Sequence, residues 1–153
     1  MEDFNAPIVN RYDIHLDIDV EKKTLDVTAT AQIDFKGRES MDFTLWRYSV
    51  INHIRCKKKD LAYTFDTTAK SPNQYIRQGA PLRLSAPKSK GKCEITLEYT
   101  CNLDSLDSWM SSMEKDWVQL GYYMAWFPIN SDSRDFTANV SVSINDNYTV
   151  STT

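Results

Sequence analysis

The sequence is short of the residues that most catalytic and ligand-binding motifs need. It has only 4 glycines and 2 histidines among 153 residues. So few glycines leave no loop to cradle a phosphate, and no serine stands in the G-x-S-x-G setting of a hydrolase nucleophile. The motifs H-E-x-x-H and C-x-x-C are also missing, so no zinc site can be identified from spacing. We therefore predict no catalytic residue and no metal ligand in this chain.

The sequence also lacks an excess of positive charge and any long apolar run. Acidic residues outnumber basic ones by 21 to 18, which gives a net charge of −3. Two basic clusters, at residues 55–59 and 88–92, contain no interleaved aromatic residues and are interpreted as solubilising loops. No apolar run approaches the ~20 residues needed to span a bilayer. We expect no nucleic-acid partner and no membrane partner.

The first seven residues lack the basic head and apolar middle of a signal peptide. Two interpretations of the compartment stay open. The chain could be cytoplasmic, or it could be an exported or cell-envelope protein whose signal has been removed.

The sequence has only 3 cysteines. An odd number does not suit a framework of paired disulfides. The three cysteines are Cys56, Cys93 and Cys101. Cys93 and Cys101 lie on one predicted strand, roughly 26 Å apart, so they cannot bond to each other. We interpret both as buried apolar residues. Cys56 could pair with only one of them, and the pairing does not decide the compartment.

What the sequence does have is regular alternation of apolar and polar residues. Residues 12–20 and 25–35 alternate in this way and are joined by a short polar link, which predicts an antiparallel hairpin. Further alternating runs are predicted at 41–46, 49–58, 61–65, 82–86, 93–103, 136–144 and from 148. About eight or nine strands with short connections indicate one all-β domain over 1–153, an antiparallel β-sandwich or curved sheet.

Two further expectations concern residues 104–115 and the end of the sequence. At 104–115 apolar residues recur at helical spacing, which predicts at most one short helix, with an ordered loop as the alternative. A strand that starts at 148 would be cut off by residue 153, which suggests a fragment of a longer protein.

The most aromatic stretch is 117–129, followed by a polar loop at 130–135 and then the alternating run from 136. In a regular strand Tyr122 and Tyr123 cannot both face the core. Core packing is the plainest interpretation of most of these aromatic residues. Part of this surface must nevertheless be exposed or covered by another domain.

Several stretches, taken in order, carry a resemblance to a known family. They are RYDIHLDID at 11–19, TLDVTATAQIDF at 24–35, KCEITLEY at 92–99, WFP at 126–128, FTANVSVSI at 136–144 and YTVS at 148–151. This order resembles the N-terminal domain of zinc aminopeptidases of the aminopeptidase N and leukotriene hydrolase type (peptidase family M1). The match covers nearly the whole chain. It lacks the family's usual acidic and arginine-containing run around F-P, so the parent would be a divergent member.

The resemblance implies a saddle-shaped β domain that lies over a thermolysin-like catalytic domain. In the family, that second domain carries the zinc, the glutamate base and the exopeptidase motif. This chain would then be a non-catalytic accessory domain without a cofactor of its own, and zinc would belong to the parent's catalytic domain. Its partners would be that downstream domain and the N-terminus of a peptide substrate.

The resemblance also suggests site residues. Many members place a glutamine or glutamate shortly before the F-P element to line the pocket for the substrate's N-terminal residue, and Gln119 is the nearest match. We expect Trp117, Gln119, Tyr123 and Trp126 to lie at or near the interdomain and substrate-facing surface. Two alternatives stay open: a β-sandwich module that binds carbohydrate or protein through exposed aromatics, and a structural spacer domain.

Overall fold

A six-stranded sheet forms one layer of the fold. The computed structural model describes residues 4–108 and 110–151. In spatial order the strands of this sheet are β11 (Thr137–Ser143), β1 (Ile8–Asp19), β2 (Thr24–Asp34), β8 (Lys92–Asn102), β4 (Ser49–Cys56) and β5 (Lys59–Asp60). The predicted hairpin is confirmed, since β1 and β2 pair antiparallel along nearly their whole length.

A second, smaller layer packs on one face of this sheet. It contains β3 (Ser40–Trp46), β7 (Gly79–Ser85) and β6 (Tyr63–Phe65), in the order β3-β7-β6. A separate hairpin joins β9 (Ser112–Glu114) to β10 (Trp117–Gln119), and a 3₁₀ turn follows at Tyr122–Met124. The described residues thus form an open all-β sandwich, which confirms the predicted fold class.

The core lies between the two layers, where alternation on each strand points one set of side chains inward. Leu25 on β2 and Leu97 on β8 are fully buried against Leu82 and Leu84 of β7 and the side chains of β3. Trp46, at the end of β3, is also buried, and its indole nitrogen donates to the carbonyl of Asn102 at 2.7 Å. This bond ties the end of the small layer to the end of β8.

The stretch 104–115 takes the form of the predicted alternative, an ordered loop. Its described residues form turns, an isolated bridge between Ser108 and Ser111, and the short strand β9. The one short helix among the described residues is the 3₁₀ turn at Tyr122–Met124.

Strand β11 forms where the alternation predicted it, but its surroundings differ from the expectation. It pairs parallel, not antiparallel, with β1, because loop 130–135 returns the chain to the end of the sheet where β1 begins. Most of its side chains are exposed. The strand predicted from residue 148 is wrong within the described residues, which are irregular from 148 to 151.

Among the cysteines, Cys101 is fully buried, as predicted, whereas Cys93 is only partly buried. All three are free thiols. Cys56 lies diagonally across β4 and β8 from Cys93. Burial, together with the nearby Cys56, raises the pKa of Cys93 to about 11. Burial raises the pKa of Cys101 to about 12. No helix among the described residues is long and apolar enough to cross a membrane.

Candidate functional site

The aromatic segment begins on the β9–β10 hairpin, which carries two of the predicted site residues. Trp117 pairs with Glu114, and Gln119 pairs with Ser112. Because they are two residues apart on one strand, Trp117 and Gln119 project from the same face of the hairpin. Trp117 is 62% exposed and Gln119 is half-buried. The hairpin therefore presents an indole and an amide side by side.

Beyond the hairpin, the chain turns sharply through the 3₁₀ turn. Ala125 closes this turn in the left-handed conformation, with φ 56° and ψ 43°. Because the backbone is not that of a strand, side chains that follow one another need not alternate between two faces. Met124 and Ala125 are both buried, while Tyr122 is 48% exposed and Tyr123 half-buried. The turn thus exposes Tyr122, while Met124 and Ala125 attach it to the hydrophobic core.

The segment then runs along the edge of β3 as an irregular extra strand. The amide of Trp46 donates to the carbonyl of Ala125 at 2.9 Å. Thr44 and Ile129 exchange two backbone bonds, at 2.8 and 3.0 Å. These bonds fix the backbone on both sides of Trp126-Phe-Pro128 and hold this element rigidly against the small layer.

Two buried tyrosines of the large sheet fix the same element from the other side. The hydroxyl of Tyr99 on β8 donates to the carbonyl of Trp126 at 2.7 Å. The hydroxyl of Tyr12 on β1 donates to the carbonyl of Pro128 at 2.6 Å. Burial raises the pKa of both phenols, so both remain neutral donors. The alternation in the sequence places both tyrosines on the apolar face of their strands, and a buried hydroxyl needs a hydrogen-bond partner. The alternation does not predict which residue that partner is.

Phe127 is the centre of an aromatic cluster at this edge of the molecule. Its ring lies 4.9 Å from Trp126, 5.5 Å from Tyr12, 6.3 Å from Tyr122 and 6.4 Å from Phe136, all in edge-to-face geometry. Such pairs contribute roughly 0.5–1.5 kcal/mol each beyond burial. The cluster connects the exposed Tyr122 to the buried core of β1.

The polar loop at 130–135 is confirmed and is held by a buried amide. Asn130 donates to the carbonyl of Asp42 at 2.8 Å and accepts from the hydroxyl of Ser133 at 2.7 Å. Ser133 in turn accepts from the amide of Val9 at 2.7 Å, where the β1–β2 register shifts. The loop therefore connects both layers and sets the starting point of β11.

The four predicted site residues fall into two groups. Trp117 and Gln119 share the exposed hairpin, whereas Tyr123 and Trp126 belong to the turn and its aromatic cluster. Trp126 is partly buried and packs on the core. Tyr122, which was not among the predicted site residues, contacts both Tyr123 at 5.8 Å and Phe127 at 6.3 Å. Its exposure could not be inferred from sequence because the turn geometry was not evident there.

In the part of the chain that the structure describes, no group of three or more His, Cys, Asp or Glu side chains is placed to hold a metal ion. The donor set present here therefore does not fit a zinc site.

Solved structures share the fold of this chain. The sequence itself matches no protein-family model and no curated protein. The chain nevertheless folds as an N-terminal-like domain of M1 aminopeptidases, which confirms the resemblance found in the sequence.

Three solved structures illustrate the likeness. Yeast LTA4 hydrolase in complex with bestatin matches with a TM-score of 0.64 at 13% identity, over 95% of this chain and 24% of that chain. A mutant two-domain M1 zinc metallopeptidase bound to L-arginine matches with 0.60 at 14%, over 90% and 32%. The M1 zinc metallopeptidase from Deinococcus radiodurans matches with 0.53 at 14%, over 90% and 32%. At such identities the likeness concerns the fold.

This chain spans about a quarter to a third of the length of those three proteins. The binding-module and spacer alternatives are not favoured by these likenesses.

Proposed function

We propose that this chain is the non-catalytic N-terminal domain of a zinc metallo-aminopeptidase-like protein and packs on a downstream catalytic domain of the same protein. The observation that carries the proposal is the fold, which recurs over 90–95% of this chain within larger M1 metallopeptidases. Zinc would be held by the catalytic domain, since the donor set in the described residues does not fit a metal.

The uncovered face of β11 supports the packing part of the proposal. Ala138 and Val140 are in register with Tyr12 and Ile14, so their side chains point to the core side of the sheet. Tyr12 and Ile14 are buried, yet Val140 is 44% exposed. The core cluster therefore covers Val142, on the same face of β11, only in part and leaves Ala138 and Val140 as an exposed apolar strip. An exposed apolar strip of this kind supports contact with a second domain.

The aromatic edge supports the pocket part of the proposal. Trp117 and Gln119 are exposed and half-buried on the β9–β10 hairpin, and Tyr122 is exposed on the turn that follows it. This turn leads directly into the segment 125–129, which β3, Tyr12 and Tyr99 hold in place. Rigid support of this kind is what a substrate-positioning group requires. In the proposed protein, the Gln119 amide would accept or donate a hydrogen bond at the peptide's N-terminus, and Trp126 would hold the turn that carries Tyr123.

The first experiment compares this chain with the same chain extended by its natural downstream residues. Both would be tested on a panel of amino-acid anilides with zinc added. We expect activity in the longer protein alone, because the described residues contain no zinc-ligand cluster. Peptidase activity in the 153-residue chain would contradict the accessory role.

The pocket is tested in the longer protein with Gln119→Ala and Trp126→Ala. Loss of a hydrogen bond to a charged substrate group costs roughly 1.5–3 kcal/mol, so Gln119→Ala should lower kcat/KM by about 10- to 150-fold. Gln74→Ala, an exposed glutamine outside the proposed surface, serves as the matched control. If Gln119→Ala behaves like Gln74→Ala while the longer protein is active, the pocket role is wrong and the accessory role stands.

The packing surface is tested with Val140→Asp and its matched control Val50→Asp. Val50 is also an exposed valine of the large sheet, but it lies on the solvent-facing side of β4, in register with Thr100 of β8. In the longer protein, Val140→Asp should loosen the contact between the domains and Val50→Asp should not. Limited proteolysis between the domains measures this, and equal cleavage of the two variants would exclude β11 from the interface.

A further inference from the structure

The two basic clusters, which are about thirty residues apart in sequence, lie at the same end of the large sheet. Lys92 opens β8 opposite Asp34 at the end of β2. The amide of Gly37 donates to the carbonyl of Lys90 at 2.8 Å, which joins the β2–β3 turn to the loop before β8. On the other side of β8, Cys56 at the end of β4 is in register with Ile95. Three neighbouring strands, which together span roughly 10 Å, therefore end in basic turns.

We call this surface the basic end. It is formed by Lys36, Arg38, Lys57, Lys58, Lys90 and Lys92, all exposed except the half-buried Lys90. Acidic residues lie there as well. Glu39 pairs with Lys90 at 3.2 Å, Asp60 pairs with Arg55 at 3.0 Å, and Asp34 lies opposite Lys92. Within the described chain, the side chains of Lys57, Lys58 and Lys92 have no ion-pair partner. The net charge of −3 thus conceals a locally positive surface.

The turn positions at the basic end hold lysine where the backbone favours other residues. Lys57 and Lys58 are the two central residues of the β4–β5 hairpin and have φ of 49° and 66°. Two positive φ angles define a type I′ turn, for which Asn-Gly is preferred. Lys36 and Lys90 also have positive φ, at 50° each. Lysine is therefore not the residue that these backbone conformations favour, and it can be replaced there by the preferred turn residues.

A residue with an exposed aromatic side chain, Phe4, is bonded through its backbone to one of these lysines. The ammonium of Lys36 donates to the carbonyl of Phe4 at 3.0 Å. Phe4 is 81% exposed, the highest value among the exposed large hydrophobic residues of the described chain. Lysines next to a projecting phenylalanine are typical of proteins that rest on the headgroup region of a lipid bilayer.

The opposite end of the sheet has the contrary charge. An open groove of about 1040 Å³ at this end is lined by five acidic residues and two basic ones, which are Asp17, Asp19, Glu21, Glu114, Asp116, Lys23 and Lys115. A molecule that is positive at one end and negative at the other is oriented by a charged surface. Contact through the basic end would keep the acidic end away from an anionic surface.

From these observations we propose that the basic end binds the surface of an anionic lipid bilayer, with the lysines on the headgroup phosphates and Phe4 at the interface. This departs from the expectation of no membrane partner, which was based on the net charge and on the absence of a long apolar run. Nucleic acid is the less favoured ligand, because binding of single strands uses a row of aromatic rings for stacking, whereas the aromatic residue tied to these lysines by a contact is Phe4. The inference does not depend on the proposed peptidase role.

The test is flotation of the 153-residue chain with vesicles of equal parts phosphatidylglycerol and phosphatidylcholine. The informative variant is Lys57→Asn with Lys58→Gly, which removes two charges and installs the preferred turn sequence, so loss of folding is not expected. Each lysine near an anionic surface contributes about fivefold, so vesicle partitioning should fall about 30-fold. Binding of the parent should also weaken at high salt, where charges are screened.

The matched control is Lys22→Asn with Lys23→Gly. It makes the same chemical change at the acidic end, where Lys23 also has positive φ, 53°, and it should bind vesicles like the parent. Phe4→Ala should weaken vesicle binding and leave any binding to double-stranded DNA unchanged. The proposal is overturned if the parent fails to float at low salt, if both double variants lose binding equally, if Phe4→Ala has no effect, or if the parent prefers DNA to vesicles.

Discussion

Strands β8 and β11 have the same alternation of apolar and polar residues, yet they differ in almost everything that burial controls. On β8, Ile95, Leu97 and Tyr99 are fully buried between neighbouring strands and the opposite layer. On β11, Ala138 and Val140 point to the same side of the sheet and are exposed. The difference teaches that alternation tells which face of a strand is apolar but not whether anything covers that face.

The two strands differ for a geometric reason. β8 is central, with β2 on one side and β4 on the other, and the small layer lies over it. β11 is the edge strand and pairs with β1 alone. Its uncovered strip is the surface that we assign to a downstream domain, so the comparison can be tested by mutation on both strands.

The largest effect is expected for Leu97→Ala in β8. Truncation of a fully buried leucine removes its contacts and leaves a cavity, which should lower the free energy of unfolding by roughly 2–5 kcal/mol. Urea denaturation followed by tryptophan fluorescence measures the change. A loss below about 1 kcal/mol, as for a surface change, would mean that β8 is not the centre of the core.

A smaller effect is expected for Tyr12→Phe, which tests how the aromatic edge is attached. The variant removes the hydroxyl that donates to the buried carbonyl of Pro128 at 2.6 Å. An unsatisfied buried carbonyl costs roughly 1–3 kcal/mol. Tyr63→Phe, on an exposed tyrosine of β6, is the control and should change the unfolding free energy by less than about 0.5 kcal/mol. Equal losses in the two variants would contradict the anchoring role of Tyr12.

Alkaline pH should lower the stability of the folded chain through Cys101, a fully buried residue of β8. Burial raises the pKa of this thiol from 9.0 to about 12, so the unfolded chain releases its proton near pH 9 while the folded chain keeps it. The stabilisation is therefore complete below pH 9 and is lost as the pH rises toward 12. Between pH 8 and 10 the loss should be about 1.4 kcal/mol.

The measurement is the urea midpoint of the parent and of Cys101→Ala at pH 8 and pH 10. The variant starts from a lower stability but should lose less of it with pH. The range stops at pH 10 because tyrosines, with ordinary pKa values of about 10, contribute above it. An identical pH dependence of the two proteins would show that Cys101 does not titrate as its burial requires.

The smallest effect is expected for Val140→Thr on β11. Threonine keeps the shape and strand preference of valine, and at a side chain that is 44% exposed its hydroxyl reaches water. The unfolding free energy should change by less than about 0.5 kcal/mol. The matched buried variant, Val27→Thr on β2, should cost roughly 1–3 kcal/mol because its hydroxyl has no water. Similar losses at the two positions would mean that β11 is covered within this chain.

Part of the candidate site was predictable from the sequence. Residues 117–129 were identified as the unusual stretch because their aromatic density cannot fit one face of a strand. The roles of Tyr12 and Tyr99 were not predictable, since their partners, Pro128 and Trp126, are 116 and 27 residues away. Such partners are set by how sheets pack, and alternation within a strand carries no information about that.

The sequence by itself determined most of the long strands, the apolar face of each of them, the hairpin of β1 and β2, and the loop before β11, because these depend on local periodicity and turn chemistry. It did not determine the short strands β9 and β10. Tertiary structure decided three other things. It made β11 parallel to β1 through loop 130–135, and it left the apolar side of β11 uncovered. It also gathered two distant lysine clusters at one end of a chain whose net charge is −3. Each of these depends on which strands become neighbours, and that choice is made by the packing of the whole chain.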